Sequence, residues 1–323
     1  MTETESYSLD ETPPGHRSGF VAVVGRPNVG KSTLMNQFVG QKVAIVSPQP
    51  QTTRSRILGI LTREDVQVIF VDTPGLHRPR HKLGQAMVAA ATRAIPDADV
   101  VLFVVDVSVP PTDEDRMIAG LIQRHSQAPV ILVLNKMDLL PAGKVKPHTE
   151  AYWELVPDLL PLPRGEGRGG GWMMTVATEG VNLDKLLGQI IAALPEGPRY
   201  YPGDQVTDQT ERDIAAELIR EQVLRRTRQE VPHAVAVVVE EFKERENNMI
   251  YVAANIFVEK DSQKGIIIGR RGQMLRQIGS AARQEIERMT GGRVYLDLWV
   301  KVRKGWRRNE NELRRLGYDV RRR

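Results

Sequence analysis

From residue 19 to residue 194, short apolar runs alternate with stretches whose apolar residues recur at helical spacing. The runs at 20–24, 57–61, 66–71, 100–105, 130–134 and 172–176 predict strands. Most are continuous Val, Ile and Leu, as expected for strands buried on both faces. Helical patterns fill 31–39, 82–95, 113–125, 149–155 and 183–194. This alternation predicts an α/β fold, a doubly wound and mainly parallel sheet, in which ligands bind past the carboxyl ends of the strands.

The pattern changes after Pro195-Glu-Gly-Pro198, which breaks the last helix. A helix is expected at 208–230, strands at 233–241 and 250–260 joined by a turn at Asn247-Asn248, and a helix at 273–289. A last strand begins at Val294, and Leu313 and Leu316 mark a short closing helix. The order helix–strand–strand–helix–helix–strand describes a second, α+β domain. The expected boundaries are a disordered tail at 1–18, a first domain at 19–196, a linker at 197–204 and a second domain at 205–323. The Gly- and Pro-rich run 161–171 reads as a flexible surface insertion without a function of its own.

Composition narrows the class. Of the 323 residues 41% are hydrophobic, enough for two cores. Cysteine is absent, which excludes disulfides, thiolate chemistry and cysteine-based zinc sites. The polar start lacks an apolar signal core, and no apolar run approaches the roughly 18–20 residues of a membrane span, so a cytoplasmic protein is expected. Net charge is +5, unevenly placed: residues 199–323 carry 26 Lys+Arg against 19 Asp+Glu, while the first 198 residues are slightly acidic. A basic second half suits a polyanion such as RNA, and also admits peripheral contact with the inner face of a membrane. The absence of a long apolar seam predicts a monomer.

Candidate chemistry sits at the predicted strand ends. Gly25-Arg26-Pro27-Asn28-Val29-Gly30-Lys31-Ser32 follows a strand and precedes a helix that opens with Thr33. Two glycines let backbone N–H groups close around a phosphate, Lys31 supplies a point charge to the β- and γ-phosphates, and Ser32 offers a hydroxyl to Mg²⁺. Asp72-Thr73-Pro74-Gly75 ends another strand, where the carboxylate can hold Mg²⁺ through water and the Gly75 N–H can meet a γ-phosphate. Asn135-Lys136-Met137-Asp138 ends a third. Asp138 can accept both the N1–H and the N2–H₂ of guanine, a donor pair adenine lacks, which selects GTP over ATP. Asn135 and the Lys136 stem brace the base and the phosphate loop. In the loop 41–55, Thr52 and Thr53 are alternative candidates to complete the Mg²⁺ shell in the GTP state, and residues alone do not choose between them. Leu76 after Gly75 cannot hydrogen-bond water, so hydrolysis that needs an oriented water there is arranged differently or is slow.

In the second half, Lys264-Gly265-Ile266-Ile267-Ile268-Gly269-Arg270-Arg271-Gly272 contains a G-x-x-G loop between two helical patterns. Such a loop clamps the backbone of about four single-stranded nucleotides. Arg270 and Arg271 supply charge without reading bases, and residues 265–268 form an apolar floor. Trp299, Lys301 and Arg303 alternate on one face of the last strand. Trp299 and Trp306 are both read as packing residues in preference to base-stacking ones.

The phosphate loop, Gln51-Thr52-Thr53-Arg54, Asp72-Thr-Pro-Gly-Leu-His77 and Asn135-Lys-Met-Asp138 resemble those of the Era-type GTPases, within the TrmE–Era–EngA group, and the likeness runs over about residues 19–319. The resemblance implies a P-loop GTPase domain followed by a type II KH domain. It also implies GTP hydrolysis to GDP with Mg²⁺, a monovalent cation such as K⁺ held near the phosphates with help from Asn28, and a substrate in the 3′ region of 16S ribosomal RNA during maturation of the small ribosomal subunit. The family's Ser-Ala-Glu loop at the base site is here Val176-Ala177-Thr178, with the Ala177 N–H expected to serve guanine O6. A passive RNA scaffold with a degenerate nucleotide site is the rival reading. Against it stand Gly30, Lys31, Ser32, Asp72, Asn135 and Asp138, all present.

Overall fold

The computed structural model describes residues 12–49, 52–76, 81–156 and 171–318. Gln51, His77, the run 161–170 and the basic end 321–323 therefore lie outside the described residues. The chain divides into two compact units. The first comprises Met1–Val43, Arg56–Arg78 and Val88–Asp208, and the second Ala44–Ser55, Pro79–Met87 and Gln209–Arg323.

In chain order the first unit builds β1 (Arg17–Val24), α1 (Lys31–Val39), β2 (Ile57–Thr62) and β3 (Val66–Asp72), with α2 (Lys82–Ala94) running across the division. It continues with β4 (Val100–Asp106), α3 (Asp113–His125), β5 (Val130–Asn135), α4 (Val145–Trp153), β6 (Gly171–Thr175) and α5 (Leu183–Ala193). The strands form one six-stranded sheet, order β2-β3-β1-β4-β5-β6, parallel except for β2 against β3. Every residue of β3, β4 and β5 is buried, which is why these strands read as unbroken apolar runs. α3 starts where Thr112 and Asp115 exchange side-chain-to-backbone hydrogen bonds in a capping box.

Departures from the pattern reading have local causes. β1 begins at Arg17, inside the stretch expected to be tail, because Arg17 N–H donates to Asp65 O at 3.0 Å and Ser18 Oγ to Pro198 O at 2.6 Å. The stretch expected as a linker is bound to the first unit. Gln67, a lone amide in an apolar strand, donates to Tyr201 O at 2.8 Å and accepts from Tyr200 N–H at 2.7 Å; just past that stretch, Ile60 N–H donates to Val206 O at 2.8 Å. α4 starts four residues early, with Pro147 in its first turn, where a missing N–H leaves no helical bond broken.

The second unit contains α6 (Glu211–Arg226), α7 (Val231–Ala234), β7 (Ala236–Arg245), β8 (Met249–Val258), α8 (Asp261–Ile268), α9 (Gln273–Thr290), β9 (Arg293–Val302) and α10 (Glu310–Arg315). β7 and β8 are antiparallel with a bulge at Glu240, β8 and β9 are parallel, and β9 is an edge. One face of this sheet packs Val252, Ala254, Ile256 and Val300 against Leu218, Ile219 and Val223 of α6 and Ile278, Ala282 and Ile286 of α9. The last three follow an i, i+4, i+8 stripe. The helix expected at 208–230 is shorter: a capping box between Thr210 and Asp213 starts it at Glu211, and it ends at Arg226. β7 runs four residues past its expected end, because Phe242 alternates with charged residues on a strand covered on one side only. No described helix is long and apolar enough to cross a membrane.

Candidate nucleotide and RNA sites

The phosphate loop leaves β1 and enters α1 through Gly30, whose φ of +104° is open to glycine and strained for other residues. A Cβ there would lie 2.3 Å from Asn135 Nδ2. Lys31 is buried, and its ammonium donates to the carbonyls of Gly25 at 3.1 Å and Arg26 at 2.9 Å. Burial strips it of water and pulls its pKa from 10.5 down to about 8, against the attraction of Asp72. Those carbonyls hold the ammonium at the mouth of the loop that Gly30 shapes. Asn28, with φ +64°, is exposed on the loop, and Pro27 lies so close to the Asp72 turn that a Cβ on Gly75 would be 2.7 Å from its nitrogen.

Ser32 Oγ donates to Asp72 Oδ2 at 2.6 Å, with the carboxylate fully buried at the end of β3. A hydroxyl and a carboxylate at hydrogen-bond distance beside a phosphate loop are the oxygen donors that Mg²⁺ prefers, so the residues fit the ion. Thr73 fixes the turn by donating to Val23 O at 2.8 Å, and Leu76 N–H donates to Gly25 O at 3.2 Å. The Leu76 side chain is fully buried, so it orients no water.

Asn135 ties the base site together. Its Nδ2 donates to Val29 O at 2.8 Å, while its Oδ1 accepts from Thr175 Oγ1 at 3.1 Å and Ala177 N–H at 3.0 Å. The Ala177 amide expected to face guanine O6 is thus engaged with Asn135, because Oδ1 offers an acceptor from the same buried strand end. Asp138 and Thr178 are exposed. Lys136 takes φ +64° and donates its ammonium to Asp106 Oδ2 at 2.7 Å.

Arg26 directs its guanidinium toward Asp115 at 3.4 Å and Asp106 at 3.7 Å. Burial would raise the Asp106 pKa, but hydrogen bonds from Lys136 and Ser108 outweigh it and hold the carboxyl below its ordinary value. Asp106 therefore joins the phosphate loop to the base loop. Sequence reasoning missed it, although its place at the carboxyl end of an apolar strand was a usable signal. Thr52 lies in the second unit, where its hydroxyl donates to Gln49 O at 2.7 Å, and Thr53 is buried.

The segment Ala44–Ser55 is fastened within the second unit. Arg54 is buried and donates to the carbonyls of Val235 at 2.5 Å, Pro232 at 3.1 Å and His233 at 3.2 Å, and to Tyr318 Oη at 3.1 Å. Arg220 donates to Thr52 O, and the buried Glu221 accepts from Val46 N–H at 3.0 Å. The apolar or charged character of these residues gave no hint of this, since their partners lie about 180 positions away.

The G-x-x-G loop joins α8 to α9. Gly269 has φ +69°, and a Cβ on it would meet Met274 Cβ at 2.6 Å. Gly272 has φ +75°, and Arg271 between them is left-handed at +51°. Arg270 and Arg271 are exposed, as are Gly265 and Ile266, while Ile267 is in the core and Lys264 and Ile268 are half-buried. Lys301 is exposed. Arg303 is paired with Glu312 at 2.8 Å and lies 4.4 Å over the Phe257 ring. The two tryptophans also part company. Trp306 is fully buried and donates to Ala234 O at 3.0 Å, but Trp299 is 47% exposed, which corrects the expectation that both pack.

These two sites define a class: a P-loop GTPase unit followed by a KH unit. The profile described as "50S ribosome-binding GTPase" matches residues 20–136, and a KH domain profile matches residues 230–307. GTPase Era of Rippkaea orientalis is 48% identical over 313 residues, covering 97% of this chain and 96% of the relative. GTPase Era of Heliobacterium modesticaldum is 47% identical, covering 94% of this chain and 97% of the relative. A crystal structure of Era in complex with MgGDPNP and nucleotides 1506–1542 of 16S ribosomal RNA has a TM-score of 0.88 at 40% identity, over 94% of this chain and all of that one. A variant of Aquifex aeolicus Era bound to GDP·AlF₄⁻ has a TM-score of 0.87, also at 40% identity. The chain belongs to the Era family of GTPases. It is a GTP hydrolase that uses GTP, GDP and Mg²⁺ and carries an RNA-binding KH domain.

Proposed function

We propose that this chain binds the 3′ region of 16S ribosomal RNA through its KH unit and acts, under control of its nucleotide state, in maturation of the small ribosomal subunit. The observation that carries this reading is the left-handed Gly269–Gly272 loop with two exposed arginines, on the same chain as a phosphate loop and a guanine-selective Asp138. An Era relative solved with that RNA supports the target. Gly269, Arg270, Arg271 and Gly272 clamp sugar–phosphate, with Lys264, Gly265, Ile268 and Lys301 beside them. On the nucleotide side, Gly25 to Thr33 enclose the phosphates, Asp72 to Gly75 meet the γ-phosphate, Ser32 and Asp72 hold Mg²⁺, and Asn135, Lys136, Asp138, Ala177 and Thr178 surround guanine. Mg²⁺ neutralises charge that builds on the phosphates, and Lys31 shares that task.

Crosslinking the full chain, loaded with a non-hydrolysable GTP analogue, in cell lysate and sequencing the captured RNA tests the target. Enrichment at the 3′ end of 16S RNA is expected, and an even spread over ribosomal RNA would contradict it. The likeness to Era-type GTPases implies a monovalent cation near Asn28 that stands in for an arginine finger. Hydrolysis should therefore run faster in K⁺ than in Na⁺ at equal ionic strength, and equal rates remove the cation. The protein works in the cytoplasm as a monomer. Peripheral membrane contact, supported by the basic second half alone, is tested by flotation with anionic vesicles after RNase treatment.

A further inference from the structure

The sheet of the second unit has an uncovered face. Opposite the helices, strand register places Lys243, Tyr251 and Tyr295 on one rung, Glu241, Ala253 and Asp297 on the next, and Asn255 with Trp299 beyond. Farther on, Ala236 and Phe257 are covered by Trp306, Leu313 and Leu316, so that end is core. The other end is open. Tyr295 is 61% exposed and Trp299 47%, among the most exposed large hydrophobic residues described. Their Cα atoms stand about 13 Å apart along β9, with the small Ala253 on the neighbouring strand between them.

A solvated sheet face is ordinarily polar. Here the Tyr251 and Tyr295 rings stack with centroids 5.9 Å apart and planes 21° from parallel, and the Arg245 guanidinium lies 4.4 Å over Tyr251. Lys243, Arg245, Arg293 and Lys301 on this face and its rim are exposed. Aromatic faces separated by a shallow floor, with cations at the margin, match what unpaired nucleobases and their phosphates need: π-faces to stack on and charge for the backbone. Between them Glu241 is paired with Lys243, and Asp297 is half-buried. β9 is an edge strand, and α8 and α9, which flank the G-x-x-G loop, pack against its other face.

We infer that the Tyr251–Tyr295–Trp299 face is a second contact for single-stranded RNA, stacking nucleotides that lie beyond those held by the Gly269–Gly272 loop. The inference rests on that loop being an RNA clamp. The strand follows the edge of β9 out of the clamp and lays bases on the aromatic rungs. The contact is sequence-tolerant and mainly non-ionic.

The test measures binding of the full chain, with GTP analogue and Mg²⁺, to labelled unstructured RNAs of about four and about twelve nucleotides. Tyr295→Ala and Trp299→Ala should each weaken the longer RNA by about fivefold or more, leave the shorter one unchanged, and leave the salt slope unchanged. Equal affinity of the longer RNA in both variants overturns the inference, as does equal weakening of both lengths, and either outcome leaves the face to a protein or lipid partner. Gly272→Asp should weaken both lengths. If it changes neither, the clamp reading fails, and the aromatic variants then report separately on the face. Both side chains are exposed, and unchanged GDP binding with an unchanged circular-dichroism melt confirms that the variants are folded.

Discussion

At the scale of single residues, the decisive case is Lys31. Its ammonium is held by two loop carbonyls in a buried position, and its pKa is drawn down to about 8. The lowered value has a sign in both folding and binding. Because the folded chain releases this proton before the unfolded chain does, the contribution of Lys31 to stability rises with pH between about 8 and 10.5. Nucleotide phosphates favour the charged form, so binding near pH 8.5 must be accompanied by proton uptake. Calorimetry of GDP binding in buffers of different ionisation enthalpy should show Lys31 taking up close to one proton above pH 8.5 and none at pH 6.5, where exchange on the nucleotide phosphate is counted separately. No uptake at the higher pH would mean that Lys31 already carries its proton in the free protein, against the lowered pKa. Asp106 shows a different residue-scale effect: one carboxylate receives Lys136 from the base loop and faces Arg26 from the phosphate loop.

At the scale of elements, the segment Ala44–Ser55 is the informative one. Its sequence reads as a loop offering Mg²⁺ ligands; in the structure Arg54 places a guanidinium among three carbonyls and a phenol, and Glu221 receives the Val46 amide. A buried cation with several acceptors is costly to remove, because the acceptors lose their donor in a dry site. Arg54→Ala should lower stability by about 3 kcal/mol. In hydrogen exchange, the Val46 amide should be protected, and Glu221→Ala should release it. A Val46 amide that exchanges as fast as a free loop in the unaltered chain would show that the segment is not fastened there.

At the scale of the whole molecule, the chain joins two separate chemistries, and each should be removable without the other. Gly272→Asp puts a side chain and a negative charge on a left-handed glycine of the clamp, so RNA binding should fall by a factor of about a hundred or more with GDP affinity unchanged. Lys31→Ala should abolish GTP turnover and leave RNA binding measurable in the absence of nucleotide. Filter binding and phosphate release on the same preparations check both, and loss of both activities in either variant would show that the division of labour is wrong.

The sequence by itself determined the chemistry. Gly25 to Ser32, Asp72 to Gly75 and Asn135 to Asp138 act through backbone turns that directly follow buried strands, so local order along the chain carries the geometry. Continuous Val and Ile runs fixed the strands because their faces are both covered. What only the tertiary structure decided depends on partners far apart in sequence: Gln67 binding the stretch expected as a linker, Arg26 turning to Asp115, Ala177 donating to Asn135, and Arg303 pairing with Glu312. Trp299 and Trp306 make the point most simply. Both are tryptophans near the end of one strand, and whether each is covered depends on where α10 and its neighbours fold back, which no local pattern records.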